Sequence, residues 1–174
     1  MDTTVEFEYG GIYMEESIQT AIELRNNGFY KKSNLLLVDL ADQFPNNAQI
    51  HYQCAWSFDV LGEEAKAVPY YERAISLGLD HENLEGALLG LGSTYRTLGQ
   101  YEKSAQTFQK AIQLFPSNKA IQVFFAMTLY NLEQHQESME LLLKCIIETT
   151  KDKQILAYSK AIEFYSDKLD EKWK

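Results

Sequence analysis

The sequence is poor both in residues that break helices and in residues that carry chemistry. Three prolines and nine glycines in 174 residues leave sheet-and-turn architectures without their usual punctuation. The two cysteines, Cys54 and Cys145, stand far apart with no C-x-x-C spacing. That excludes a disulfide scaffold and a thiolate zinc site, and both are expected to be free, buried thiols packed as small apolar groups. The three histidines, His51, His81 and His135, fall in neither H-x-x-x-H nor H-E-x-x-H spacing, so no metal site and no cofactor are expected. No serine is framed as G-x-S-x-G, the strained elbow that exposes a nucleophile. Basic residues are the scarcer charge, 16 against 25 acids, for a net charge of −9. Without a basic stripe to release counterions, nucleic acid is not an expected partner. The same sign repels anionic lipid. No apolar run approaches the roughly 20 residues that cross a bilayer. The N-terminus, MDTTVEFEYGG, carries no apolar leader segment. A cytoplasmic protein without membrane contact is expected.

What is abundant is helix-forming material. Leu, Ala, Glu, Gln and Lys dominate long stretches. Gly28 and Gly62 are 34 residues apart, and Gly99 follows 37 further on. Each glycine separates two amphipathic stretches and suits a helix C-terminus, where the chain must turn through left-handed backbone. Helix, short turn, helix, recurring at about 34 residues, is the pattern of a stacked repeat. The clearest unit, 85–118, holds Leu88, Leu91-Gly92, Tyr95, Gly99, Tyr101, Ser104, Phe108, Ala111 and Pro116. Unit 48–84 has Cys54-Ala55, Phe58, Gly62, Ala67, Tyr71 and Ala74 in the same places, and 14–47 has Ala21, Leu24, Gly28, Tyr30, Ser33, Leu37 and Pro45. Unit 119–152 has Phe125-Ala126, Leu129, Ser138, Leu142 and Cys145, with Glu133 where the others have the turn glycine. Gly78 and Asp80 are placed to end one helix and cap the next.

At these positions the chain resembles the tetratricopeptide repeat family. The resemblance implies an all-α fold, a right-handed α-solenoid of about four helical hairpins. Residues 1–13 are read as an N-terminal extension and residues 153–174 as a capping helix and tail. Small residues where paired helices meet (Ala21 and Ser33, Ala55 and Ala67, Gly92 and Ser104, Ala126 and Ser138) allow close approach. Along 153–169, Ile155, Leu156, Ser159, Ile162 and Leu169 are expected to face inward, and Lys153, Lys160, Asp167 and Lys168 outward. The motifs YYERAISLGLD and ALLGLGSTYRTLGQYEKS also resemble a family of small bacterial repeat proteins, which brings no mechanism with it. The run Gly86–Gly92 mimics a phosphate loop, but no Lys follows its last Gly, and it sits in register with a repeat helix.

The family resemblance implies that the first helix of each unit lines a concave groove. That singles out Tyr52, Trp56, Gly86, Ser93, Arg96, Met127 and Tyr130 as candidates for holding a peptide, since Trp, Tyr and Arg carry most binding energy at interfaces. A plainer reading packs Trp56 against the next unit and pairs Arg96 with Asp59. Arg25 and Arg96 read as isolated cations, and a large residue at Gly86 is expected to block the groove without disturbing the helix. Some family members clamp a C-terminal carboxylate with Lys and Asn, but the corresponding positions here hold Ile18 and Ile22. The expected function is a protein-interaction scaffold that binds a peptide or protein segment, not an enzyme. The alternatives are a self-assembling homo-oligomer and, more remotely, an enzyme. An apolar N-terminal set, Val5, Phe7, Tyr9, Ile12 and Tyr13, is expected to fold back as a cap or to pair subunits, and a homodimer is expected.

Overall fold

Each expected turn glycine adopts a backbone that other residues avoid. Gly28, Gly62 and Gly99 have φ of 81°, 71° and 73°, the left-handed region that glycine enters at no steric cost. At each, the glycine N–H reaches back three residues and the following N–H five. Gly28 bonds Arg25 O (3.0 Å) and Phe29 bonds Leu24 O (2.8 Å). Gly62 and Glu63 bond Asp59 O and Phe58 O, both at 3.0 Å. Gly99 and Gln100 bond Arg96 O (3.0 Å) and Tyr95 O (2.9 Å). This Schellman pattern satisfies the last carbonyls of one helix within two residues of the next.

The computed structural model describes residues 3–173, with side chains from Tyr13 onward. Among the described residues the chain is all-helical: α1 (Thr3–Asn26), α2 (Tyr30–Gln43), α3 (Ala48–Val60), α4 (Glu64–Leu77), α5 (His81–Thr97), α6 (Tyr101–Leu114), α7 (Lys119–Asn131), α8 (His135–Thr149), α9 (Lys153–Ala157) and α10 (Ser159–Tyr165). Two compact units divide it, Met1–Thr94 and Tyr95–Lys174, with the boundary inside α5. In the first unit α1 packs on α2, α2 on α3 and α3 on α4; in the second α6 packs on α7 and α7 on α8.

Paired helices meet at small residues, as expected. Ala21, Ser33, Ala55 and Ala67 are wholly buried in the first unit, as is Ala126 in the second. The serines do more than stay small. Ser33 Oγ donates to Ala21 O (2.7 Å) and Ser138 Oγ to Ala126 O (2.6 Å), each binding one helix of a pair to the backbone of the other. Around these contacts Ile18, Leu37, Leu40, Ile50, Cys54 and Phe58 fill the first unit, and Phe108, Phe115, Ile121, Leu129 and Cys145 the second.

The longer connections use side-chain caps. Asn47 and Asn118, each following a Phe-Pro pair, accept from the backbone N–H of Ile50 (3.0 Å) and Ile121 (3.1 Å). Gly78 has φ of 90°, and Asp80 accepts from the Asn83 N–H at 2.9 Å, as the sequence led one to expect. Both cysteines are free and buried. Burial pushes the Cys54 thiol up to about 12 and raises that of Cys145 as well.

The C-terminal stretch departs from expectation. Residues 153–169 were expected to form one helix, but Tyr158 (φ −104°, ψ 7°) interrupts it. The Tyr158 N–H closes a three-residue turn onto Ile155 O (3.1 Å), so the helical ladder skips a step and the face drawn on an unbroken helix changes phase. Ile155, Ser159 and Ile162 are half-buried, whereas Leu156 and Leu169, expected inward, are exposed. At the other end, the expectation for Val5, Phe7, Tyr9 and Ile12 lies outside the described side chains; Tyr13 is exposed.

The fourth turn carries a strain the others lack. Glu133 has φ of 63° and repeats the pattern, its N–H on Tyr130 O (3.1 Å) and that of Gln134 on Leu129 O (2.9 Å). A side chain there costs about 1–2 kcal/mol, offset in part by the greater unfolded-state freedom of glycine. Glu133→Gly is expected to stabilise the protein by about 0.5–1 kcal/mol, read as a higher urea midpoint at unchanged slope.

Candidate functional site

Helix α3 presents Tyr52, Trp56, Asp59 and Val60, spaced four, three and one residue apart along one face. Helix α5 presents Gly86, Leu89, Gly90 and Ser93 at the same kind of spacing. With Tyr71 from α4, these residues line a cleft of about 430 Å³ in the first unit. Four of the sequence candidates, Tyr52, Trp56, Gly86 and Ser93, therefore share one cleft. Arg96, Met127 and Tyr130 belong to the second unit. There Met127 and Tyr130 are exposed on α7, and the Tyr130 ring lies 4.7 Å from that of His135. Arg96 is half-buried and its Nε has no hydrogen-bond partner.

The aromatic wall is braced from behind by Arg25. Instead of an isolated cation, Arg25 is only 6% exposed. Its guanidinium carbon stands 3.8 Å from the centroid of the Trp56 ring, and its Nη2 donates to Gln53 Oε1 at 2.8 Å. The other amine, Nη1, is buried without a hydrogen-bond partner, and the indole π face takes the place of an acceptor. Burial pulls the Arg25 pKa below its ordinary value, opposed by the nearby hydroxyls of Tyr52 and Tyr71. Tyr52 stacks on Trp56 (centroids 6.2 Å apart, planes 26°) and tilts against Tyr71 (6.3 Å). Trp56 nonetheless leaves 44% of its surface open. It is thus packed on one side, against Arg25 of α1 and Tyr52 of its own helix, where the plainer sequence reading places it against the next unit, and is an exposed aromatic on the other.

Asp59 anchors the polar side of the cleft. The Tyr71 hydroxyl donates to its Oδ2 (2.7 Å), and the Thr94 hydroxyl, shared with Gly90 O (2.8 Å), reaches its Oδ1 (3.0 Å). Desolvation raises the Asp59 pKa, and these two hydroxyls hold it down. Burial and the neighbouring carboxylate push the Tyr71 phenol far up.

The glycines of α5 are not spare space. A β-carbon at Gly86 would overlap the Tyr52 hydroxyl and stand 3.2 Å from its Cζ. At Gly90 it would stand 2.5 Å from Cζ and 2.9 Å from Cε1 of Tyr71. The expectation that a large residue at Gly86 blocks the groove without disturbing the helix meets one complication: the Tyr52 hydroxyl end already lies against the Gly86 backbone and would have to move. Sequence reasoning missed Tyr71 and Gly90, because a tyrosine on a second helix and a mid-helix glycine both read as packing. Among the described residues no group of three or more His, Cys, Asp or Glu is arranged to hold a metal, and no helix is long and apolar enough to cross a membrane.

Comparison with known proteins places the repeat in context. A family model described as tetratrico peptide repeat matches residues 48–169. Superkiller protein 3 of Saccharomyces cerevisiae is 33% identical over 56% of the chain, and protein O-mannosyl-transferase TMTC1 of Homo sapiens 30% identical over 52%. The chain spans only 7% and 10% of the length of these two relatives. Among solved structures, MamA from Desulfovibrio magneticus RS-1 superposes with a TM-score of 0.71 at 14% identity, over 88% of this chain and 85% of that one. YrrB, a TPR protein with an unusual peptide-binding site, gives 0.67 at 15% identity, over 88% and 80%. At such identities the likeness is one of fold.

The two α5 glycines should respond differently to alanine. Tyr71 is 2% exposed and tethered to Asp59, so it has nowhere to go. Gly90→Ala is expected to destabilise by about 1–3 kcal/mol through overpacking. Tyr52 is half-buried and meets the new β-carbon with its hydroxyl end, which yields more easily, so Gly86→Ala should cost less, offset by alanine's helix preference of about 1 kcal/mol. Thermal melts of the two variants check the order.

Proposed function

Because the chain belongs to the tetratricopeptide repeat family, a fold of protein-interaction modules, we propose that it binds a peptide segment of a partner protein in the cleft between α3 and α5. The observation that carries this reading is the braced, half-open Trp56. A large aromatic held rigid by Arg25 and Tyr52 loses little conformational freedom when a peptide covers it, and such pre-organised aromatics are the residues on which binding energy concentrates. Gly86 serves the same end, since its bare backbone lets Tyr52 lie across α5. That YrrB has a peptide-binding site on this fold is in keeping with the proposal. Arg96, Met127 and Tyr130 are kept as candidates within the second unit.

A second reading, self-association, is favoured by a separate observation. Phe164, Tyr165 and Trp173 form a three-ring cluster (centroids 5.1, 5.8 and 5.9 Å apart) whose members are all exposed. Exposed apolar patches of this kind mark interaction surfaces, and a homodimer through this cluster would cover it.

Two measurements test these readings. Peptides selected from a random display library on the wild-type protein are expected to alter Trp56 emission in a Trp173→Phe background and to bind about tenfold more weakly to Trp56→Ala. Selected peptides that bind Trp56→Ala and Ser93→Tyr as tightly as wild type would overturn the cleft reading. For the second, light scattering should show wild-type mass rising with concentration and Trp173→Ser remaining monomeric; a constant monomer mass for wild type would sink it.

A further inference from the structure

The cleft also carries information about which side chain it accepts. Of the residues that line it, only Asp59 is charged. Its two oxygens accept from Tyr71 and Thr94, but a carboxylate offers about four lone-pair sites. An apolar side chain seated over Asp59 would strip water from the remaining sites and return nothing. The nearby carboxylates add to the same sign: Glu82 acts on the Tyr52 hydroxyl and Glu64 on Asp59. The chain as a whole carries −9.

The nearby cation, Arg25, does not reverse this. Its side chain is sealed behind the Trp56 indole and tied to Gln53, and Nη1 is buried. An anionic group in the cleft would meet the Asp59 carboxylate on the wall, with the guanidinium out of reach. The rings of Tyr52, Trp56 and Tyr71, by contrast, suit a positive charge on a hydrocarbon stem, which gains from the π faces and from burial of its methylenes.

We propose that the cleft selects a basic side chain of the partner peptide, Lys or Arg, whose charge sits against Asp59 and whose methylenes lie across Tyr52 and Trp56. The proposal rests on the cleft-binding reading above and adds a specificity to it.

The test uses synthetic peptides of one sequence that carry Lys, Arg, norleucine or Glu at the central position. They are titrated against the full chain with Trp173→Phe, so that Trp56 reports. The Lys and Arg peptides are expected to bind at least tenfold more tightly than norleucine, which matches the lysine stem without its charge, and Glu more weakly still. The preference should shrink as salt is raised, and Asp59→Asn should bring Lys and norleucine level. Norleucine or Glu binding as tightly as Lys overturns the proposal, as does a preference that survives Asp59→Asn. Should Asp59→Asn fail to fold, the salt dependence in the unaltered cleft decides: a salt-insensitive Lys preference overturns it. If every peptide binds alike and Trp56→Ala weakens all of them, peptide binding stands and charge selection falls. If no peptide perturbs Trp56, both fall.

Discussion

The structure depends on how closely two helices approach within a pair. Where α1 meets α2, α3 meets α4 and α7 meets α8, wholly or nearly wholly buried alanines and serines (Ala21 and Ser33, Ala55 and Ala67, Ala126 and Ser138) sit on the paired helices, and larger side chains at these positions would push the axes apart. Close approach lets the turn between the helices be short. The N-caps Phe29, Glu63, Gln100 and Gln134 make no side-chain cap. The backbone closes each helix itself, through left-handed geometry at the turn. Small contact, short turn and positive φ are one constraint seen at three places. Serine satisfies it with a gain, because its hydroxyl finds the backbone carbonyl of the facing helix.

The same logic of missing side chains builds the cleft. Gly86 and Gly90 give up helix propensity, roughly 1 kcal/mol each relative to alanine, in a helix that has no local need of glycine. In return the rings of Tyr52 and Tyr71 lie against the α5 backbone. Tyr71 then reaches Asp59 with its hydroxyl, and Tyr52 stacks on Trp56. The chemistry of the site is thus a consequence of packing: aromatic faces displayed on one side, a carboxylate steadied by hydroxyls on the other, and a cation locked behind.

Arg25 shows how little one residue's type says about its role. A guanidinium is costly to bury, and the cost here is met by one hydrogen bond and one stacked ring. What looks from the sequence like a groove cation is a brace, and the ring it braces is the exposed element. Asp59, which attracted attention only as a possible pairing partner, is the charge the cleft displays.

The all-α class, the helix pairs and their turns were legible in the sequence because they rest on local rules: glycine spacing, Phe-Pro stops and the period of apolar residues are properties of neighbouring positions. The joint presence of Tyr52, Trp56, Gly86 and Ser93 around one cleft came from the family resemblance, which implies that the first helix of each unit lines a groove; helical spacing tells only which residues of one helix share a face. Three things were not legible. The break at Tyr158 was missed because no proline or glycine marks it. Tyr71 and Gly90 were missed because each reads as ordinary core until the other is brought against it. And the exchange of roles between Arg25 and Asp59 needed the fold, because whether a charge is sealed or displayed depends on what packs in front of it: an indole covers Arg25, while Asp59 stands at the wall of an open cleft.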